Sequence, residues 1–301
     1  MPELPEVETI RNELLSHIIN RHVTGITLFW EGIVRQPSAE EFRSRLIGQK
    51  ITGIERRGKY LILDLTSGEA LIIHLKMTGS LLLKPTSAEP DRFIRAIFHL
   101  DKETSLHFRD PRKLGVMWLV EDKNSVVGKL GPEPLEADFT PQILAQRLSK
   151  RTAPIKALLC DQSFVAGIGN MYADEALFSA RIHPLRPGKS LPQDEVERLH
   201  HAIQQVLWSA INDKGASVDT YFRPGGEVGT AHFRFQVAHY LNGKFCSACG
   251  TPIQRIPIRN RGSYFCPKCQ PLKGAAPSLS PFPNKGNKKN DTAQEKNNTA
   301  S

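Results

Sequence analysis

Four cysteines carry the clearest chemistry in this 301-residue chain: Cys246-x2-Cys249 and Cys266-x2-Cys269, with 16 residues between the pairs. Each Cys-x2-Cys turn presents two thiolates to one side of a cation. A spacer of that length lets a β-hairpin bring the second pair opposite the first. Four thiolates close a tetrahedral shell, so the spacing predicts one structural Zn2+ with no open coordination position. Between the pairs, RIPIRNRGSYF interleaves Arg255, Arg259 and Arg261 with Ile256, Ile258, Tyr264 and Phe265. Strict alternation predicts several arginines on one face, which would either meet duplex phosphates or simply face solvent.

The other end of the chain, MPELPEVET, leaves two readings open. Pro5 and the glutamates Glu3 and Glu6 fit the first turn of a helix, where proline is tolerated and negative charge is favoured. Equally, removal of Met1 would leave Pro2 with a free secondary amine beside the Glu3 carboxyl group, a nucleophile next to an acid.

Three further stretches hold candidate groups. GIGNMYADEALF at 167–178 is a Gly-rich turn entering a helix, whose N-terminal amides favour an anion. It lacks the G-K-[ST] of a nucleotide loop, so no nucleotide cofactor is expected. With Arg151 and Lys156 just upstream, a nucleic-acid phosphate is the anion predicted there. FRDPRKLG at 108–115 places Asp110-Pro111 in a turn that would project Arg112 and Leu114 outward. A basic and an apolar residue on one loop tip could wedge into a base stack, or form an ordinary charged turn. RRGKYL at 56–61 and HLKMTGSL at 74–81 contain Lys59 and Met77, which in isolation read as a surface lysine and a core methionine.

The formal net charge is +9 and the pI about 9.4, which suggests a polyanionic partner. Hydrophobic residues make up 40% of the chain and charged residues 24%, values of a globular protein with a real core. The longest apolar runs, 70–75 and 115–120, fall far short of the ~20 residues of a membrane span. The start is acidic with no apolar h-region, so no membrane partner and a cytoplasmic location are expected. A reducing compartment also argues for a metal rather than disulfides at the four cysteines. The fifth, Cys160, lies in the apolar helical pattern IKALLC and reads as a buried core thiol.

These groups need elements to position them. Val7, Ile10, Leu14 and Ile18 recur at helical spacing from about Pro5. From 23 to 120 the texture changes to short apolar runs (60–65, 70–75, 95–100, 105–108, 115–120) broken by Gly, Ser, Asp and Lys, which predicts an antiparallel sandwich or barrel. GPEPLEADFTP at 131–141 carries three prolines and reads as a linker. Helical patterns follow, and in the longest Val196, Leu199, Ile203, Val206 and Ala210 form one face. Residues 215–231 are Gly-rich and polar, a long loop or lid. The tail after 270 is Pro, Ser, Asn and Lys, a composition that predicts disorder.

The expected fold is therefore α+β. An N-terminal helix and antiparallel β-sandwich domain span 1–130, and a linker spans 131–141. A helical domain with the loop follows at 142–235, then a four-cysteine zinc-finger β-hairpin at 236–270 and a basic tail at 271–301.

MPELPEVET, RRGKYL, HLKMTGSL, DPRKLG, LGPEPL, GIGNMYADEALF and the two cysteine pairs occur here in one order. Together they resemble the formamidopyrimidine-DNA glycosylase family, bacterial base-excision-repair enzymes that excise oxidised purines. The resemblance covers residues 1 to about 270. The related endonuclease VIII typically begins PEGPE, and PELPEVE favours the formamidopyrimidine branch.

What the resemblance implies is specific. Pro2 matches the N-terminal nucleophile, Glu3 the acid/base residue, and Lys59 the proton donor of β-elimination. Arg261 matches the zinc-hairpin arginine of δ-elimination. The chain would thus be both a glycosylase and an abasic-site lyase. His74, Met77, Arg112, Leu114, Arg151, Lys156 and Asn170 match DNA-contacting positions; Met77, Arg112 and Leu114 would fill the space of an extruded base. The helical domain resembles the helix–two-turn–helix module, and the loop at 215–231 matches the one that closes over the flipped lesion. Damaged double-stranded DNA is the implied partner, bound by a monomer in the bacterial cytoplasm at the nucleoid. Three departures stand out. Leu114 occupies a position where many members carry phenylalanine. EPDRFIR lacks the family's histidine, with Arg92 as the nearest substitute. VAHYLNG replaces the usual V-Y-G-R ahead of the zinc ligands.

Overall fold

The computed structural model describes residues 1–218, 220–239 and 241–273. The expected tail beyond 273 lies outside the described residues.

Helix α1 (Leu4–Ile18) begins where the proline predicts. Glu3 supplies the capping position, with its own N–H donating to Glu6 Oε2 at 2.7 Å and Val7 N donating to its carbonyl at 3.1 Å. These bonds satisfy amides that a helix start otherwise leaves orphaned. Two sheets follow. One, ordered β1-β7-β8-β6, contains β1 (Val23–Leu28), β6 (Ser80–Pro85), β7 (Ile94–Leu100) and β8 (Thr104–Arg109). The other, ordered β2-β9-β5-β4-β3, contains β2 (Val34–Gln36), β3 (Ile51–Arg57), β4 (Tyr60–Leu65), β5 (Ala70–His74) and β9 (Val116–Val120). Helices α2 (Ala39–Leu46) and α3 (Asn124–Val127) flank them. The sandwich is antiparallel as expected except at one edge, where β2 runs parallel to β9. Leu61, Leu63, Ile73, Phe98, Phe108 and Met117 fill the space between the sheets, together with Val7, Ile10, Leu14 and Ile18 from α1.

The helical domain contains α4 (Pro141–Leu148), α5 (Ile155–Leu159), α6 (Asn170–Ser179) and α7 (Gln193–Asn212) around a second core of Leu144, Ile155, Ile168, Tyr172, Leu199 and Ile203. Of the expected face of α7, all but the half-buried Val206 are fully inside. Leu4 belongs to this second core although the rest of α1 belongs to the first, and Leu4 N donates to Gly167 O at 3.0 Å. The chain's first residues therefore lie in the seam between the two cores.

The segment joining the domains has no regular structure over 131–140, yet it is not slack. Glu133 accepts from Arg56 (2.5 Å), Arg57 (2.6 Å) and Gly58 N (2.6 Å), three consecutive residues ahead of Lys59.

At the C-terminal end, β10 (Gln254–Ile258) and β11 (Arg261–Phe265) form the hairpin. Its two-residue turn, Arg259-Asn260, has φ of 43° and 64°, the left-handed geometry such turns demand. That turn corrects the expected face of arginines. It pairs Ile258 with Arg261 and Arg255 with Tyr264, so Arg255 and Arg261 point to opposite faces. Arg255 lies over the Tyr264 ring, 5.9 Å from its centroid.

Candidate active site

Glu3 is 1% exposed. Its carboxylate accepts from Gly169 N at 2.6 Å and Met171 N at 3.1 Å, the amides that open α6. The Gly169 and Met171 amides, expected to favour a nucleic-acid phosphate, are taken by Glu3. The positive end of α6 holds an anion, but the anion is the protein's own carboxylate, delivered from 166 residues away. Pro2 is buried beside it.

Lys59 follows Gly58, whose φ of +56° turns the chain into β4. Lys59 is 5% exposed, and burial pushes the pKa of its ammonium down. The nearby Glu3 carboxylate opposes that shift, and Arg261 adds to it. Gly169 is the meeting point of these groups. A Cβ added there would lie 2.3 Å from Glu3 Cδ and 2.6 Å from Lys59 Nζ, and both groups are held by burial. The Gly169→Ala variant should therefore fold but lose at least about a hundredfold in turnover, because a misplacement near 1 Å costs that much. Steady-state kinetics beside a melting curve checks this.

Glu6, one turn along α1, is fully buried. Tyr172 OH donates to Oε1 at 2.5 Å and Ala216 N at 2.8 Å, while Oε2 takes Glu3 N. Burial, then the adjacent Glu3, raise the Glu6 pKa, and burial raises that of Tyr172 well above the ordinary phenol value. The sequence marked Glu6 as a helix-start residue that also lines the site. Its reach to Tyr172 and Ala216 carries no local signal.

Arg261 stands exposed at the start of β11, Nη1 donating to Cys160 O at 3.4 Å. Asn170 Nδ2 donates to Gly262 O at 2.8 Å, tying the first residue of α6 to the hairpin beside Arg261. Lys156 departs from the expected free phosphate contact. It is 1% exposed, ion-paired with Asp174, and donates to Asn170 O at 2.6 Å. Burial lifts Asp174 to about 6 despite that pairing. Lys156 thus holds the start of α6 from inside. Arg151 is exposed ahead of α5, against Gly188; no hydrogen bond or ion pair joins it to the Glu3 group among the described residues.

On the rim, Met77 and Leu114 are 45% and 38% exposed, and Arg112 Nη1 lies 3.6 Å from Met77 Sδ. The turn that presents Arg112 and Leu114 is built on the buried Asp110, which accepts from Thr78 Oγ1, Arg112 N, Leu114 N and Gly115 N. His74 Nδ1 accepts from Lys76 N at 2.9 Å, so its hydrogen sits on Nε2. Burial and the cations Lys76 and Lys59 lower its pKa to about 3, keeping it a neutral donor. Arg92 and Arg109 both stack on Phe93, at 4.7 and 4.8 Å. In VAHYLNG, Tyr240 lies outside the described residues, and Val237 N and Ala238 N donate to the buried Glu175.

The four cysteine sulfurs lie within 4.8 Å of one another, with Cys246–Cys269 at 3.8 Å and Cys249–Cys266 at 3.4 Å. A tetrahedral site with Zn–S near 2.3 Å needs sulfurs roughly 3.8 Å apart, so the donor set fits one Zn2+. Such a closed site holds the hairpin; it does no chemistry.

Three family models match in succession: the formamidopyrimidine-DNA glycosylase N-terminal domain over residues 1–117, its H2TH domain over 130–221, and a zinc finger found in FPG and IleRS over 243–272. The chain belongs to the formamidopyrimidine-DNA glycosylase family. The glycosylase of that name from Chloroflexus aurantiacus is 44% identical over 273 residues, covering 90% of this chain and 98% of its own. That from Geobacillus kaustophilus is 41% identical over 276 residues, covering 90% and 100%. Among solved structures, a Lactococcus lactis FPG mutant in complex with Fapy-dG-containing DNA is 35% identical, with a TM-score of 0.85 over 90% of this chain and all of that one. The Lactococcus lactis complex with abasic DNA gives 0.84 over the same shares. This glycosylase is thus a DNA-repair enzyme with one structural zinc. No helix among its described residues is long and apolar enough to cross a membrane.

Proposed function

We propose that the chain excises oxidised purines, 8-oxoguanine and formamidopyrimidines, from damaged duplex DNA as a monomer and then cleaves the abasic strand by β,δ-elimination. The observation that carries the reading is the Glu3 carboxyl group, fixed by two α6 amides beside Pro2 and Lys59.

With Met1 removed, the Pro2 secondary amine attacks C1′ of the damaged nucleotide, and the C1′–base bond breaks. An α-amine titrates near 7.7–8.0, roughly two to three units below an ordinary lysine, so far more of it is nucleophilic at neutral pH. The proton that Pro2 sheds on attack passes to the Glu3 carboxylate, which delivers it to the ring oxygen as the deoxyribose opens. The resulting iminium carries no N–H to lose, so its positive charge persists and acidifies C2′. The C2′ proton passes to the Glu3 carboxylate, the C3′–O bond breaks, and the 3′ phosphate leaves with Lys59 as proton donor; its lowered pKa makes it a stronger acid than a free lysine. Arg261 assists loss of the 5′ phosphate. Met77, Arg112 and Leu114 fill the gap left by the extruded base, whose removal from the stack costs a few kcal/mol. His74, Arg151 and Asn170 contact the backbone.

Single-turnover kinetics across a lesion series tests the substrate class: 8-oxoguanine and formamidopyrimidine should be released faster than thymine glycol, and the reverse order would overturn it. The Arg261→Ala variant should cleave abasic DNA but stop largely at the β-elimination product. A gel that separates the unsaturated aldehyde from the 3′-phosphate end reads this directly.

A further inference from the structure

Helix α6 holds the zinc hairpin as well as Glu3. Asn170 and Asp174 lie four residues apart, one turn on the same face. Asn170 Nδ2 donates to Gly262 O at 2.8 Å, and Asp174 accepts from Tyr264 N. Across the hairpin these two strand residues face Pro257, which has no N–H, and Arg255. Their backbone groups point instead to the outer edge of β11, which bears no further strand among the described residues. Two side chains of α6 thus stand where a third strand would pair, and Ser263 between them is fully buried.

Lys156 locks that face from beneath. Its ammonium pairs with Asp174 and donates to Asn170 O at 2.6 Å, with both side chains of the pair 1% exposed. Apolar residues of similar volume commonly stabilise a fold as well as a buried ion pair does, so stability alone does not account for it. Its placement does. α6 begins with the amides that hold Glu3, and β11 begins with Arg261. The far end of the hairpin has its own anchors, the Phe265 ring against His183 at 4.5 Å and Gln270 Nε2 on Ile182 O at 2.9 Å. The near end relies on Asn170 and Asp174. Among the described residues the side-chain tether of Arg261 itself is one long bond, Nη1 to Cys160 O at 3.4 Å.

We propose that Lys156 and Asp174 are positioning residues that set Arg261 at its distance from the Glu3 group, and so set how far strand cleavage runs past β-elimination. The proposal rests on the roles given above to Pro2, Glu3, Lys59 and Arg261. The first three reach the sugar from the N-terminal domain, and Arg261 reaches it from the hairpin. Without the ion pair, α6 stays anchored in the second core through Tyr172, Ala173, Ala176 and Leu177, and Glu3 keeps its amides. A loosened hairpin therefore leaves the first cut in place and slows the second.

The test uses the full-length, zinc-loaded chain and a preformed abasic duplex in single turnover. Two variants are compared: Asp174→Asn, which drops the charge, and Lys156→Met/Asp174→Leu, which keeps the interface filled. The first cut should stay within about threefold of the parent, while the second slows about ten- to a hundredfold, the cost of a displacement of up to about 1 Å. Amide exchange of Gly262 and Tyr264 without DNA should accelerate in both variants. Equal losses of the two cuts, or the parent's product ratio in the folded apolar variant, would overturn the proposal. Asp174→Asn leaves Lys156 charged and buried, and should it fail to fold, the apolar variant decides. If Arg261→Ala leaves the parent's product ratio unchanged, the role given to Arg261 falls, while exchange at Gly262 and Tyr264 still decides whether the pair holds the hairpin.

Discussion

A chain that keeps Met1, or carries any residue ahead of Pro2, should yield no borohydride-trapped adduct with an 8-oxoguanine:C duplex, whereas the processed chain should be trapped in nearly full yield. An amide nitrogen has no lone pair to offer C1′, so both base release and strand cleavage should fall at least about a thousandfold, or about 4 kcal/mol of barrier. DNA binding should survive, because the rim residues Met77, Arg112 and Leu114 and the hairpin Arg261 lie on other elements. That split separates a chemical role for Pro2 from a structural one. An adduct that persists with a blocked terminus would assign the nucleophile to a lysine, and Lys59 would be the first to examine, since burial already lowers its pKa.

Removing the zinc should have the second-largest effect. Structural sites of four thiolates contribute on the order of 10–16 kcal/mol to the folding of the unit they close. Here that unit carries Arg261, and its anchors to the helical domain include Asn170 Nδ2 to Gly262 O, Gln270 Nε2 to Ile182 O, Lys273 to Glu195, and Glu175 to the amides of 236–238. Chelation, or Cys246→Ser, should therefore release the hairpin and weaken duplex binding at least about a hundredfold. The salt dependence of what remains should flatten as phosphate contacts are lost. The sandwich has its own core and should keep its β signal in circular dichroism. A fully active, metal-free protein would sink the structural role of the site.

The elements that proved legible in the sequence are those whose signal is local. Val7, Ile10, Leu14 and Ile18 mark α1 because a helix buries every third or fourth residue. The strand runs at 60–65 and 70–75 were readable for the same kind of reason. The parallel β2–β9 edge was not, because a three-residue strand pairing across 80 residues leaves no periodic trace. Pro2 and Glu3 could be read as a nucleophile beside an acid and Arg261 as a phosphate contact, but the choice between those readings and bland ones, and any role for Lys59, came only through the family resemblance; no spacing within the chain relates the four. Lys156 shows the limit most plainly. Beside Arg151 it looked like a phosphate ligand, and only the placement of Asp174 on the facing helix turns it inward. The hairpin arginines likewise followed a turn geometry that alternation alone does not encode.

The burial of the first residues in the seam, with Leu4 in the second core and its N–H on Gly167, bears on the timing of biosynthesis. Pro2 is the second residue to leave the ribosome, but the amides that orient its neighbour belong to residues 169 and 171. Until those emerge the terminus has nothing to dock against, so the group around Glu3 cannot assemble before more than half of the chain has been made.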